Sequence, residues 1–206
     1  MKSILSFHKL NKKRIADFLS LAGNKTKNEI LFELLFCLLA PQSKAPMCRS
    51  SLKDIWSSDS TSGIYDMTRE QILKHLGCVR FNERKSEYMI LARDNFDVSY
   101  MKILKLKSDP VALRDWLVDN IKGYGYKEAT HFLRNIGLGE DFAMFDVHVL
   151  RFMQQQDLGD VDNISGRKRY LEYEQKFVEL AQKHGLKPAE LDIAVWLMGS
   201  GNEEIM

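Results

Sequence analysis

The sequence has only three cysteines, and no two of them form a Cys-x-x-Cys pair. Cys37, Cys48 and Cys78 all lie in the N-terminal half of the 206-residue chain. An odd number of cysteines, together with the lack of a signal peptide, predicts reduced thiols in an intracellular protein.

Long apolar runs are also missing. The longest, Ile30 to Ala40, is interrupted by Glu33 and is shorter than the roughly 20 residues that a membrane-spanning helix needs. We therefore expect a buried core helix there and no membrane contact. Net charge is nearly balanced at +2, which neither supports nor excludes nucleic acid as a partner.

The sequence lacks the spacings that mark metal sites. It contains five histidines, without a His-Glu-x-x-His motif or any closely spaced pair. We predict neither a metal ion nor another cofactor.

Strand patterning is nearly absent, whereas helix start and stop signals recur along the chain. Thr68 to Gln71 is a capping-box pattern, and Asp109-Pro110 has the form of an N-cap followed by a first-turn proline. Pro188 to Met198 is predicted to be the last helix, ended by Gly199. The sequence therefore predicts an all-α fold.

A glycine hairpin, Gly123-Tyr124-Gly125, separates two of the predicted helices, and Lys127 follows it closely. A lysine attacks carbon only as the free amine, while its pKa in water is near ~10.4. Lys127 is predicted at the start of a helix, where the positive end of the helix dipole disfavours a further positive charge.

Asp146 lies in Met144-Phe145-Asp146-Val147-His148, directly before an apolar helical pattern. It is a candidate N-cap, whose carboxylate would accept backbone N–H bonds and stay ionised. A free amine beside a fixed carboxylate suits attack on a carbon that develops positive charge, such as a sugar C1′ losing its base. Taken alone, a lysine after such a turn is more often an ordinary surface residue.

The hairpin, Lys127 and the downstream Asp-Val-His resemble the helix-hairpin-helix, Gly-Pro-Asp superfamily of DNA glycosylases. Three further segments are similar to its short archaeal-type 8-oxoguanine DNA glycosylase/lyases: Leu38 to Lys44, Gly77 to Phe81 and Leu191 to Trp196. Relatives of the endonuclease III type carry four cysteines for an iron–sulfur cluster after the catalytic aspartate, and this chain has none there.

The resemblance implies two helical subdomains with a cleft between them, residues 28–140 and residues 1–27 with 141–206. It implies an enzyme that binds double-stranded DNA containing an oxidised base, removes 8-oxoguanine through a lysine Schiff base and cleaves the strand by β-elimination. We expect this enzyme to be a monomer. Lys127 would be the nucleophile, and Asp146 would assist both steps.

The resemblance also implies DNA contacts. Gln42 would fill the gap left by the extruded nucleotide, and the N–H groups at Gly123 and Gly125 would contact a phosphate. Phe81 and Trp196 would line the base pocket, although ordinary core aromatics would look the same. Arg151 is a candidate phosphate contact, which a solvated helix face explains equally well.

One segment departs from the resemblance. Members of that branch usually end in a lysine close after the tryptophan segment, and their chain terminus helps to read the oxidised base. Here the tail is Gly199 to Met206, with Glu203 and Glu204 near its end. This departure leaves open the same chemistry on another oxidised base. A second alternative also stays open, because the hairpin alone fits a helix-hairpin-helix module that binds DNA without cutting it.

Overall fold

The structure is a computed structural model that describes residues 1–57, 63–160, 164 and 166–201. These residues form helices and turns without a strand, which confirms the all-α prediction. The α-helices of this part of the chain are α1 (Lys2–Ala22), α2 (Lys27–Leu39), α3 (Ala45–Ser57), α4 (Arg69–His75), α5 (Asn82–Asp94), α6 (Phe96–Leu106), α7 (Pro110–Asn120), α8 (Tyr126–Asn135), α9 (Val147–Gln155), α10 (Arg167–Lys183) and α11 (Pro188–Ser200). Residues 202–206 of the acidic tail lie outside the described residues.

Contacts divide the chain into two compact units. The central unit contains the described residues of Lys25–Phe132, and the terminal unit combines Met1–Asn24 with the described residues from Leu133 to Gly201. The sequence predicts residues 28–140 for the central unit. None of the described helices is both long enough and apolar enough to cross a bilayer.

In the terminal unit, α11 packs against α1, α9 and α10. Its core contains the buried side chains Ile15, Ile193, Ala194 and Leu197, with Phe7, Phe18, Leu19 and Trp196 packed around them. Helix α11 is therefore the central element of this unit, because burial of its apolar surface holds both ends of the chain together.

In the central unit, α2 packs against α3 and α5 and is buried along most of its length. This confirms the predicted core helix. Its one charged core residue, Glu33, is paired: Oε1 lies 3.2 Å from Lys25 Nζ and Oε2 lies 3.3 Å from Arg49 Nη2. Pairing of this kind offsets the cost of burying a carboxylate.

The predicted helix starts of this unit are confirmed by their capping bonds. Thr68 Oγ1 accepts from Gln71 N at 3.3 Å, and Gln71 Oε1 accepts from Thr68 N at 2.7 Å. Asp109 Oδ1 accepts from Ala112 N at 3.1 Å, and Pro110 is the first residue of α7. Each cap satisfies N–H groups that a helix start leaves without an internal partner.

The predicted end of the last helix was wrong. Helix α11 continues through Gly199 to Ser200, and Gly201 ends it with a φ of +66°. A side chain at Gly199 would place its Cβ 2.6 Å from His148 Nδ1 of α9. Gly199 therefore permits close packing of α9 against α11 and does not stop the helix.

Candidate active site

The glycine hairpin joins α7 to α8, and Gly123 is required there for two reasons. Its φ is +96°, in the left-handed region that favours glycine. A Cβ at this position would also lie 2.5 Å from Tyr88 Cδ2 of α5. The buried Tyr124 between the two glycines donates its hydroxyl to Leu34 O of α2 at 2.8 Å. The hairpin is thus held against both α2 and α5.

Gly125 donates its N–H to Glu128 Oε2 at 3.1 Å. Glu128 is the third residue of α8, so its carboxylate caps the helix start in the manner of a capping box. The sequence predicted that Gly123 and Gly125 present N–H groups to a phosphate. At Gly125, a phosphate would compete with Glu128 for this N–H group.

Lys127 is the second residue of α8, at the positive end of the helix. Its side chain is 33% exposed, and its Nζ lies 3.7 Å from Oε1 of Glu128, whose side chain is 14% exposed. One carboxylate thus contacts both the hairpin and the lysine. The amine is held near the hairpin while it remains reachable from solvent.

Asp146 is the N-cap of α9, which confirms the predicted structural role. Its Oδ1 accepts from His148 N at 2.9 Å and from Val149 N at 2.8 Å. Two N–H bonds to the same oxygen fix the orientation of the carboxylate. Asp146 is neither fully buried nor fully exposed, so part of its surface faces solvent.

A buried ion pair supports the segment before Asp146. Asp192 of α11 accepts from Arg134 Nη1 at 2.7 Å and from Met144 N at 3.3 Å. Burial raises the pKa of Asp192 to about 6, while the charge of Arg134 and the Met144 N–H bond oppose that rise. Asp192 lies in one of the segments that carried the family resemblance, but its pairing with Arg134 was not predicted.

Two side chains of α10 hold the same segment from another direction. Glu174 Oε1 accepts from Ala143 N at 3.2 Å, and the Tyr170 hydroxyl donates to Ala143 O at 2.8 Å. The backbone just before Asp146 is therefore fixed by side-chain bonds at two consecutive residues. The sequence signal that could have revealed this support is Glu174, a charged residue on the buried and otherwise largely apolar face of α10.

Gln42 and Phe81 are exposed residues with unusual backbone conformations. Their φ values are +56° and +58°, in a region that residues other than glycine seldom adopt. The Phe81 side chain is 55% exposed, and the Arg80 guanidinium carbon lies 5.5 Å from the centre of its ring. Strained, exposed positions of this kind concentrate at functional sites.

The remaining two candidates lie in the terminal unit with Asp146. Arg151 is exposed on α9, and Trp196 is partly buried at the edge of the core of α11. Lys127, the hairpin, Gln42 and Phe81 all belong to the central unit. The roles of these residues in binding or catalysis stay predictions.

Comparison with known proteins identifies the family. The family model described as 8-oxoguanine DNA glycosylase matches residues 11–186 of the chain. The chain belongs to this family. The resemblance expected from the sequence is therefore confirmed, and family membership favours an enzyme over a non-catalytic DNA-binding module.

Relatives named 8-oxoguanine DNA glycosylase/AP lyase occur in bacteria and archaea. The chain is 32% identical to that of Fusobacterium nucleatum over 195 residues, which cover 92% of this chain and 88% of the relative. It is 35% identical to that of Picrophilus torridus over 198 residues, which cover 93% of this chain and 88% of the relative.

Solved structures agree with this assignment. The 8-oxoguanine DNA glycosylase of Methanocaldococcus jannaschii is similar with a TM-score of 0.84 and 30% identity, over 98% of this chain and 95% of that one. A glycosylase/lyase structure from the same organism, in complex with a 15mer DNA containing 8-oxoguanine, has a TM-score of 0.85 and 30% identity over the full length of both chains. The described helices therefore have the family fold.

Proposed function

We propose that the protein removes 8-oxoguanine from double-stranded DNA and then cleaves the strand at the abasic site. Lys127 is the nucleophile, and Asp146 assists it. The observation that carries the proposal is the position of Lys127, solvent-reachable at the positive end of α8 directly after the hairpin. The names of the relatives and the structure of a similar protein with lesion-containing DNA support the choice of substrate.

The proposed chemistry joins Lys127 Nζ to C1′ of the damaged nucleotide while the N-glycosidic bond to the base breaks. Positive charge develops on the sugar as the base leaves, and the carboxylate of Asp146 stabilises it. Loss of a proton from the amine and opening of the sugar ring give a Schiff base. Removal of a 2′ proton then expels the 3′ phosphate and cleaves the strand.

Binding uses groups of each unit that are exposed or only partly buried. In the central unit, Gln42 fills the space left by the extruded nucleotide and Gly123 approaches a phosphate. In the terminal unit, Trp196 lines the base pocket and Arg151 contacts a phosphate. Because phosphate contacts dominate affinity for DNA, we expect binding to weaken as salt concentration rises.

Borohydride trapping tests the nucleophile directly, because reduction of the Schiff base leaves a stable protein–DNA adduct. Wild type is expected to form the adduct with an 8-oxoguanine duplex, and Lys127→Gln is expected to form none. Lys122→Gln is the matched control, since Lys122 is an exposed lysine of the same hairpin region. A normal adduct from Lys127→Gln, or none from wild type, contradicts the proposal.

A panel of duplexes tests the substrate separately. Each duplex carries one oxidised base opposite one normal base, with plain guanine as the control. The proposal predicts that 8-oxoguanine is excised fastest in single-turnover assays. Faster excision of another oxidised base would contradict the proposed substrate but not the proposed chemistry.

A further inference from the structure

A buried ammonium lies beneath the turn that carries Gln42. Lys85 of α5 is only 6% exposed, and its Nζ donates to Leu39 O at 2.7 Å, Pro41 O at 2.7 Å and Ser43 Oγ at 3.1 Å. A lysine ammonium has three N–H donors, and these three acceptors use all of them. Lys85 is therefore committed to the protein interior and has no donor left for DNA.

The surroundings explain why a charged group is tolerated there. Leu39 is the last residue of α2, so its carbonyl lies at the negative end of the helix dipole and attracts a cation. Burial lowers the pKa of Lys85, and the charges of Lys127 and Arg80 act in the same direction. The three bonds from Nζ to oxygen atoms offset the free-energy cost of burying the charged ammonium.

A four-residue turn of this kind has two common forms, which differ in the direction of the central peptide. Ser43 N donates to Ala40 O at 3.1 Å, which closes a four-residue turn with Pro41 second and Gln42 third. The positive φ of Gln42 is the mark of a type II turn, which normally requires glycine or asparagine at that position. In the type I form the central peptide is turned over, and φ of the third residue is negative.

The carbonyl that distinguishes these two forms belongs to Pro41, and it is the carbonyl that Lys85 binds. Glutamine alone would favour the type I form, in which it has no left-handed strain. The bond from Lys85 is thus made to the carbonyl whose direction sets the sign of φ at Gln42.

We propose that Lys85 is a positioning residue that holds the Pro41–Gln42 peptide in the type II orientation, so that the exposed Gln42 side chain is presented to DNA in one direction. This inference rests on the proposed function, in which Gln42 fills the space of the extruded nucleotide. Lys85 acts on the reaction only through Gln42.

Lys85→Met tests this role, because methionine keeps an unbranched apolar stem and removes the three donors. Single-turnover excision of 8-oxoguanine is expected to fall about tenfold, since displacement of a positioning group by ~1 Å can cost as much as about 100-fold. Gln42→Ala is expected to have a similar effect. The double variant is expected to be no slower than the slower single variant, because both changes remove the same contact.

Cys48→Ala is the matched control. Cys48 Sγ also donates to Leu39 O, at 3.3 Å, but has no bond to Pro41 O. The control is expected to retain the wild-type rate. Ser43→Ala serves as a second test if Lys85→Met does not fold: it removes one acceptor of Lys85, and its smaller loss of rate should also vanish in the Gln42→Ala background.

Two results overturn the inference while leaving the proposed function intact. In one, wild type excises the base and Lys85→Met does so equally fast. In the other, the effects of Lys85→Met and Gln42→Ala multiply, so that Lys85 acts independently of Gln42. Failure of the proposed function is distinct from both, because wild type would then show neither excision nor a trapped adduct.

Discussion

Asp146 has two separable roles in this enzyme, a helix cap and a proposed catalytic carboxylate, and asparagine distinguishes them. Asparagine is as good an N-cap as aspartate, so Asp146→Asn should keep the bonds from His148 N and Val149 N at 2.9 and 2.8 Å. It removes the negative charge. We therefore expect Asp146→Asn to fold with nearly wild-type stability and to lose activity.

The magnitudes of the two effects differ enough to be separated. Loss of a group that stabilises charge in the transition state lowers rates by about 10²- to 10³-fold. Loss of a cap in Asp146→Ala should cost about 1 kcal/mol of the free energy of unfolding. In a chain of this length, 1 kcal/mol shifts the melting temperature by roughly 2–4 °C. Asp146→Ala should therefore lose both activity and stability.

Asp109→Ala is the matched control, because Asp109 caps α7 through a bond from Ala112 N at 3.1 Å and has no proposed role in catalysis. Its melting temperature should fall about as much as that of Asp146→Ala, roughly 2–4 °C. Its activity should not change. The assays are single-turnover excision on an 8-oxoguanine duplex and thermal unfolding followed by circular dichroism.

Two outcomes refute the reasoning about Asp146. An Asp146→Asn variant with wild-type excision would show that the negative charge is unnecessary. An Asp109→Ala variant that loses activity as severely as Asp146→Asn would show that excision follows stability and reports nothing about the carboxylate.

Two further predictions concern stability. Gly123→Ala should destabilise the protein by about 1–3 kcal/mol, because a φ of +96° and contact with Tyr88 both oppose a side chain. Gly77→Ala is the control and should be nearly neutral, since nothing lies within 4 Å of a Cβ placed there. Equal melting temperatures for the two variants would contradict this prediction. The pKa of Asp192 rises from 3.8 to about 6 on folding, so between these pH values the folded protein holds a proton that the unfolded chain has released. The free energy of unfolding of wild type, relative to that of Asp192→Asn, should therefore fall on the order of 1–3 kcal/mol as pH rises from about 4 to about 6, and should stay level above pH 6. Denaturant titrations in which the difference between the two proteins does not change with pH would contradict the pKa shift.

Sequence signals predicted the local parts of this protein well. Thr68, Asp109 and Asp146 each cap a helix whose first N–H groups lie two or three residues further along the chain. Both partners of such a bond occur within one short stretch of sequence, so residue type and spacing suffice to predict it. Gly123 of the hairpin was predictable for the same reason, because a tight turn sets the backbone conformation of its own residues.

The same kind of signal failed at Gly199, which the sequence predicts to end the last helix. The helix continues to Ser200, and the missing side chain of this glycine leaves room for His148, a residue remote in sequence. Glycine has the same appearance in a sequence whether it ends a helix or admits a neighbouring one. Only the packing of α9 against α11 distinguishes the two cases.

The sequence by itself determined the helical class and the local setting of the two proposed catalytic residues, with Lys127 after the hairpin and Asp146 before α9. Tertiary structure alone decided which polar side chains support the candidate site. Lys85 binds a carbonyl 46 positions away, and Asp192 binds a guanidinium 58 positions away. A charged residue is stable in the interior only where folding brings complementary groups around it, and the packing of a whole unit sets which groups those are.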